Sequence, residues 1–128
     1  MPLARIDLIR GRSPMDRKVI GDVVYEAMVE ILKAPKGDRF QVIAEHGPGD
    51  LIYDPTFFGI DRTNGIVIVQ LTLVEGRSIE QKSGFYKRLV DDLHERVGVR
   101  REDVFVSLVG TGREDWSFGN GVASLMQG

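Results

Sequence analysis

The sequence predicts an α/β (α+β) domain built from a duplicated βαβ unit, giving a four-stranded mixed sheet with two helices on one face. Three observations carry the prediction. Gly11-Arg12-Ser13 recurs as Gly76-Arg77-Ser78, 65 positions later (12 to 77). The same offset carries Ile6-Asp7-Leu8-Ile9 onto Leu71-Thr72-Leu73-Val74, and Asp38, Phe40 and Gly47 onto Asp103, Phe105 and Gly112. Each copy also reads as strand, helix, strand, so the halves fall at about 2–47 and 65–112, with an apolar tail over 113–128.

The elements follow in order. Leu3 to Ile9 has strand character. Ser13 suits a helix N-cap, Pro14 the first helical position, and Asp16 can complete a capping box. Val19, Ile20, Val23, Val24, Ala27, Met28, Ile31 and Leu32 recur at helical spacing as one apolar stripe. Pro35-Lys36-Gly37-Asp38 ends that helix, and Phe40 to Ala44 is the second strand. In the second copy Gly65 to Val74 is a strand, and Ser78 with Gln81 starts a helix whose stripe runs from Ile79 through Phe85, Leu89 and Leu93 to Val97. Gly98 ends it, and Asp103 to Val109 is the last strand. His46 to Asn64 reads as a long loop, while Gly110-Thr111-Gly112 and Gly119-Asn120-Gly121 read as turns.

A βαβ crossover is right-handed, so both helices cover one sheet face. The other face has no cover within the chain, yet the strand beginning Ile66-Val67-Ile68-Val69 is apolar on both sides. A bare apolar face of that size is unusual on a monomer, so other subunits are expected to pack there.

Composition sets outer limits. The chain has 128 residues, enough for one domain with a real core, and no cysteine, which removes disulfides and thiolate metal sites. A formal net charge of −2 offers no overall attraction to nucleic acid or an anionic membrane. The apolar run from Ile66 to Val74, broken by Gln70 and Thr72, is too short to span a bilayer, and Met1-Pro2-Leu3-Ala4-Arg5 carries no hydrophobic signal region. A cytoplasmic protein without a bound metal is expected.

The chemistry on offer sits at Pro2. If Met1 is removed, Pro2 presents a secondary amine on a rigid ring. An α-amino group titrates at about 7.7–8.0 in model peptides, and desolvation or a nearby cation lowers that value. Such an amine can accept and donate a proton near neutrality. The loop Glu75-Gly76-Arg77 leaves another strand, and in a sheet of antiparallel halves Arg77 can lie beside the head of the first strand.

Met1-Pro2 before a strand, the Gly-Arg-Ser helix start, Glu80-Gln81-Lys82 and Asp115-Trp116-Ser117-Phe118-Gly119 resemble the tautomerase superfamily, most of all its malonate semialdehyde decarboxylase group. The resemblance covers nearly the whole chain. It implies a homotrimer of βαβ-βαβ subunits with no cofactor and a small carboxylate as substrate. It implies that Pro2 is catalytic, that Asp38 assists it, and that Arg77 holds the substrate carboxylate. It places Trp116 and Phe118 in an apolar wall, with Arg39 and Glu75 also near the substrate. The decarboxylases carry a second arginine where this sequence has Glu75. A glutamate pointing inward would repel a carboxylate, so keto–enol tautomerisation ranks ahead of decarboxylation or hydration, and a non-catalytic trimeric binding protein is a third reading. Each residue also has a plainer role. Arg77 can be solvated at its helix start, Asp38 can be a turn residue like its repeat mate Asp103, and Trp116 and Phe118 can simply pack the tail.

Overall fold

In each half a glycine turns the first strand into the helix and a serine caps that helix. This computed structural model describes residues 2–127. Gly11 and Gly76 take φ of 139° and 132°, values that side chains rarely tolerate. Ser13 Oγ accepts the Asp16 N–H at 3.0 Å ahead of α1 (Pro14–Glu30). Ser78 Oγ accepts the Gln81 N–H at 3.1 Å ahead of α2 (Ile79–Val97), and Gln81 Oε1 accepts the Ser78 N–H at 3.0 Å, which closes the box. Gly98, at φ 76°, ends α2. α1 has no such glycine; it stops at Glu30, and Leu32 is buried just beyond it.

The strands are β1 (Leu3–Ile9), β2 (Phe40–His46), β3 (Val67–Val74) and β4 (Val104–Thr111), in the sheet order β2-β1-β3-β4. β1 runs parallel to β2 and β3 parallel to β4, while β1 and β3 are antiparallel. This is the predicted mixed sheet. Leu3 lies opposite Thr72, so the head of β1 stands against the tail of β3.

Ala4, Ile6 and Leu8 of β1 and Val67, Val69 and Leu71 of β3 all point at the helices and are fully buried. They meet Ile20, Val23, Val24, Ala27 and Met28 of α1 and Phe85, Leu89 and Leu93 of α2 in one core. The opposite face is bare, as expected. Phe40, Leu3, Thr72 and Val109 share one row across it, and Ala44, Asp7, Ile68 and Phe105 another. Between the rows runs a polar band of Arg5, Gln70 and Ser107, in which Arg5 donates two hydrogen bonds to Asp7 and His46 Nε2 lies 2.6 Å from Asp7 Oδ1.

The long loop packs on one corner of this bare face. Leu51 is buried against Ile9 and Ile66, with Tyr53 and Ile68 alongside. The Arg62 guanidinium donates to the carbonyls of Asp54, Phe57 and Ile60, which holds the loop in its curve.

β3 starts at Val67 rather than Gly65 and β4 at Val104 rather than Asp103, which lies in a short 3-10 turn, and two strand ends also differ from the sequence reading. β2 continues to His46, and β4 continues through Gly110 and Thr111, which the sequence reads as a turn. Parallel pairing of Leu73 with Gly110 and Val74 with Thr111 supplies the partners that prolong β4. Glycine is suited to this strand because the Glu75 side chain lies across it; an added Cβ would stand 2.8 Å from Glu75 Cγ. No helix among the described residues is long and apolar enough to cross a membrane.

Candidate active site

Pro2 is buried at the head of β1. Because β1 pairs with β2 from Leu3 opposite Phe40, the turn that carries Asp38 into β2 stands beside Pro2. The tail leaves β4 at Thr111, crosses the end of the sheet and returns Trp116, Ser117 and Phe118 to the same place. Together Pro2, Leu3, Asp38, Phe40, Trp116, Ser117 and Phe118 enclose a cavity of about 200 Å³. Asp38 is half-buried there. Trp116 and Phe118 stand with their ring centroids 6.1 Å apart, and Trp116 Nε1 donates to Thr111 Oγ1 at 2.7 Å.

Thus four of the residues singled out in the sequence, Pro2, Asp38, Trp116 and Phe118, line one cavity. Three others do not. The Arg39 guanidinium donates to Asp22 at 2.9 Å and lies 5.0 Å over the Tyr25 ring, on the flank of α1. That hydrogen bond, with a second from Lys18, holds the Asp22 carboxyl below its ordinary range against the opposing effect of burial. Glu75 packs against Gly110 and shares a groove with Lys82. Arg77 follows it on the same turn, donating from Nε to the Leu32 carbonyl at 3.0 Å and from Nη1 to the Val74 carbonyl at 2.9 Å. It therefore also serves as a cation at the C-terminal end of α1, where carbonyls lack helical partners.

Leu3, Phe40 and Ser117 are lining residues that sequence reasoning passed over. A signal for Phe40 exists: it is a large aromatic residue at the start of an edge strand, immediately after Asp38. Thr111 gave no signal, because its role depends on where the tail returns.

The duplication places a second set of equivalent positions at the other end of the sheet. There Asp103 stands for Asp38, Arg12 for Arg77 and Val67 for Pro2. Asp103 is buried and accepts from the Thr63 N–H at 2.7 Å and the Thr63 hydroxyl at 2.6 Å, while Arg12 donates to the Gly65 carbonyl at 2.7 Å. Val67 lies mid-chain and has no amine to free, and the loop that precedes it leaves a cavity of about 260 Å³ lined by Ile52, Tyr53, Phe57, Ile66, Ile68 and Phe105. Asp103 at this end is structural. Asp103→Ala should strand the Thr63 donors and cost about 2–3 kcal/mol in urea denaturation, with activity per folded molecule unchanged. A stability equal to wild type would contradict this assignment.

Among the described residues no cluster of three histidine or acidic side chains is arranged to hold a metal ion. The fold and the cavity define a duplicated βαβ protein with an apolar site at the head of its first strand. Two family profiles, each described as "Tautomerase enzyme", match residues 38–119 and 2–59. The chain is 36% identical to "Probable tautomerase YusQ" of Bacillus subtilis (strain 168), covering 99% of this chain and 100% of that one. It is 37% identical to "Probable tautomerase YrdN" of the same organism, covering 100% of this chain and 98% of that one. Among solved structures it is similar to a malonate semialdehyde decarboxylase, with a TM-score of 0.89 and 35% identity over 97% of this chain and 95% of that one. The chain belongs to the tautomerase family.

Proposed function

We propose that this chain is a keto–enol tautomerase acting on a small 2-oxo or enol carboxylic acid, with the Pro2 amine as acid/base and Arg77 binding the carboxylate. The observation that carries the reading is the cavity around Pro2. Removal of Met1, which lies outside the described residues, frees a secondary amine there. The Phe40, Trp116 and Phe118 rings that share the cavity disfavour the ammonium form, while the Asp38 carboxylate favours it. A group poised between the two can serve in both directions.

The step is a 1,3-proton shift. The neutral amine takes the enol hydroxyl proton and leaves the O–H pair on oxygen, which closes the carbonyl only as the C=C pair is protonated. The C=C pair then takes a proton from the ammonium at C3, and the amine is restored. Arg77 uses two of its five N–H groups on backbone carbonyls and keeps three for a carboxylate. The turn that carries it leaves β3 beside the head of β1. The bare apolar sheet face supports assembly as a homotrimer.

A second reading, as a malonate semialdehyde decarboxylase or hydratase, is favoured by one specific observation. The Glu75 side chain is turned onto Gly110, where an added Cβ would stand 2.8 Å from its Cγ, and is thereby drawn aside from a carboxylate held at Arg77.

The test is enol absorbance. Purified protein should be lighter than its sequence by one methionine in intact-mass spectrometry, and should speed ketonisation of phenylenolpyruvate well above the buffer rate. Arg77→Ala should raise KM roughly ten- to a hundredfold, the worth of a charge-assisted pair. A retained methionine in protein that still turns over, or a rate equal to buffer, would remove the proposal.

A further inference from the structure

We infer that Thr111 is a positioning residue of this site: its hydroxyl fixes the Trp116 indole as a wall of the Pro2 cavity and so governs how tightly a small acid is held. The activity arm of this inference rests on the tautomerase reading above.

Thr111 is the last residue of β4 and makes two different bonds. Its carbonyl accepts the Glu75 N–H at 2.9 Å, and its hydroxyl accepts the Trp116 Nε1–H at 2.7 Å. The duplication separates these roles. At the same offset His46 ends β2, and its carbonyl accepts the Arg10 N–H at 2.8 Å. The backbone bond therefore belongs to both halves and asks for no particular side chain. The hydroxyl bond occurs only in the half that ends beside Pro2. In the other half the His46 imidazole turns to Asp7 instead.

Ahead of the indole the tail makes one short turn over Arg113–Asp115, in which Asp115 Oδ2 accepts the Gly112 N–H at 2.8 Å, and after the indole it gives the ring little guidance. Beyond Phe118 the chain runs through Gly119, Asn120 and Gly121 at φ of 137°, 61° and 70°. Three successive residues on that side of backbone space do not form a repeating element that could set a ring in place. The indole N–H is donor-only and half-buried, so it needs an acceptor. Thr111 supplies one from a strand that is paired along its length with β3. Through this bond the order of the sheet reaches a wall residue that sits on an irregular tail. Without it the indole can swing, the cavity loosens, and a small acid is held less well. The proton shift at Pro2 itself is untouched.

Trp116 is the only tryptophan in the sequence, so intrinsic fluorescence reports on this wall alone. Thr111→Val keeps the shape and strand preference and removes the hydroxyl, while Thr111→Ser keeps the hydroxyl. For Thr111→Val we expect red-shifted emission, stronger quenching by acrylamide, and a KM for phenylenolpyruvate raised roughly two- to tenfold with kcat within about twofold, the size of one neutral hydrogen bond. Thr111→Ser should match wild type in all of these. The inference falls if Thr111→Val leaves emission and quenching unchanged, if its KM is unchanged in an active protein, or if Thr111→Ser is as impaired as Thr111→Val. If wild type does not turn over phenylenolpyruvate but the fluorescence pattern holds, the wall assignment stands and the tautomerase reading is what fails.

Discussion

Pro2→Ala is expected to lower kcat for phenylenolpyruvate ketonisation by about 10²-fold, the low end of what a positioned acid/base contributes. The loss should not be complete. Alanine at position 2 still permits removal of Met1, and its primary amine still titrates near neutrality. What disappears is the ring. Pro2 is buried at the head of β1, and its ring closes the N–Cα bond, so the amine cannot rotate away from the cavity. An alanine amine rotates freely and must be frozen at each turnover. Since Ala4, Ile6 and Leu8 anchor β1 in the core, the variant should fold as wild type does by circular dichroism. A kcat unchanged by the substitution would refute Pro2 as the proton carrier.

Asp38→Asn should separate the two candidate reactions. Release of carbon dioxide from malonate semialdehyde needs a charged partner for its carbonyl. As the C–C bond to the carboxylate breaks, its electron pair flows towards the carbonyl oxygen, and the ammonium then returns a proton to carbon to leave acetaldehyde. Asp38 shares the cavity with Pro2, and a carboxylate there favours the ammonium. Asparagine keeps the shape and loses the charge. We expect any carbon dioxide release to fall by about 10²-fold or more, with ketonisation within about threefold of wild type. Removing the anion lowers the amine's pKa, so the limb of the kcat/KM profile that reports the neutral amine should move to lower pH. Equal losses in both reactions would show that Asp38 acts on something other than the charge of Pro2.

Much of the fold was legible because it is written in local chemistry. Gly11 with Ser13 and Gly76 with Ser78 announce a turn into a capped helix, and each does so within a few residues. The apolar stripes from Val19 to Leu32 and from Ile79 to Val97 fix which face of each helix is buried, since that periodicity depends only on helix geometry. The misjudged ends of β2 and β4 have the opposite character. Gly110 and Thr111 join a strand because Leu73 and Val74 lie alongside them, and a pairing partner some 37 residues away (73 to 110) leaves no local trace.

The site divides in the same way. Local patterns along the chain supplied the materials: a proline behind Met1, a duplicated scaffold that sets it at the head of a strand, an aspartate two residues before the paired strand, and an aromatic tail. Long-range packing returns the tail to Pro2, lays Glu75 against Gly110, turns Arg39 to Asp22 and Tyr25, and brings the indole N–H to Thr111. The difference is one of range. Capping and periodicity act between near neighbours along the chain, whereas the direction of a long side chain is set by whichever partners the completed sheet brings within hydrogen-bonding distance.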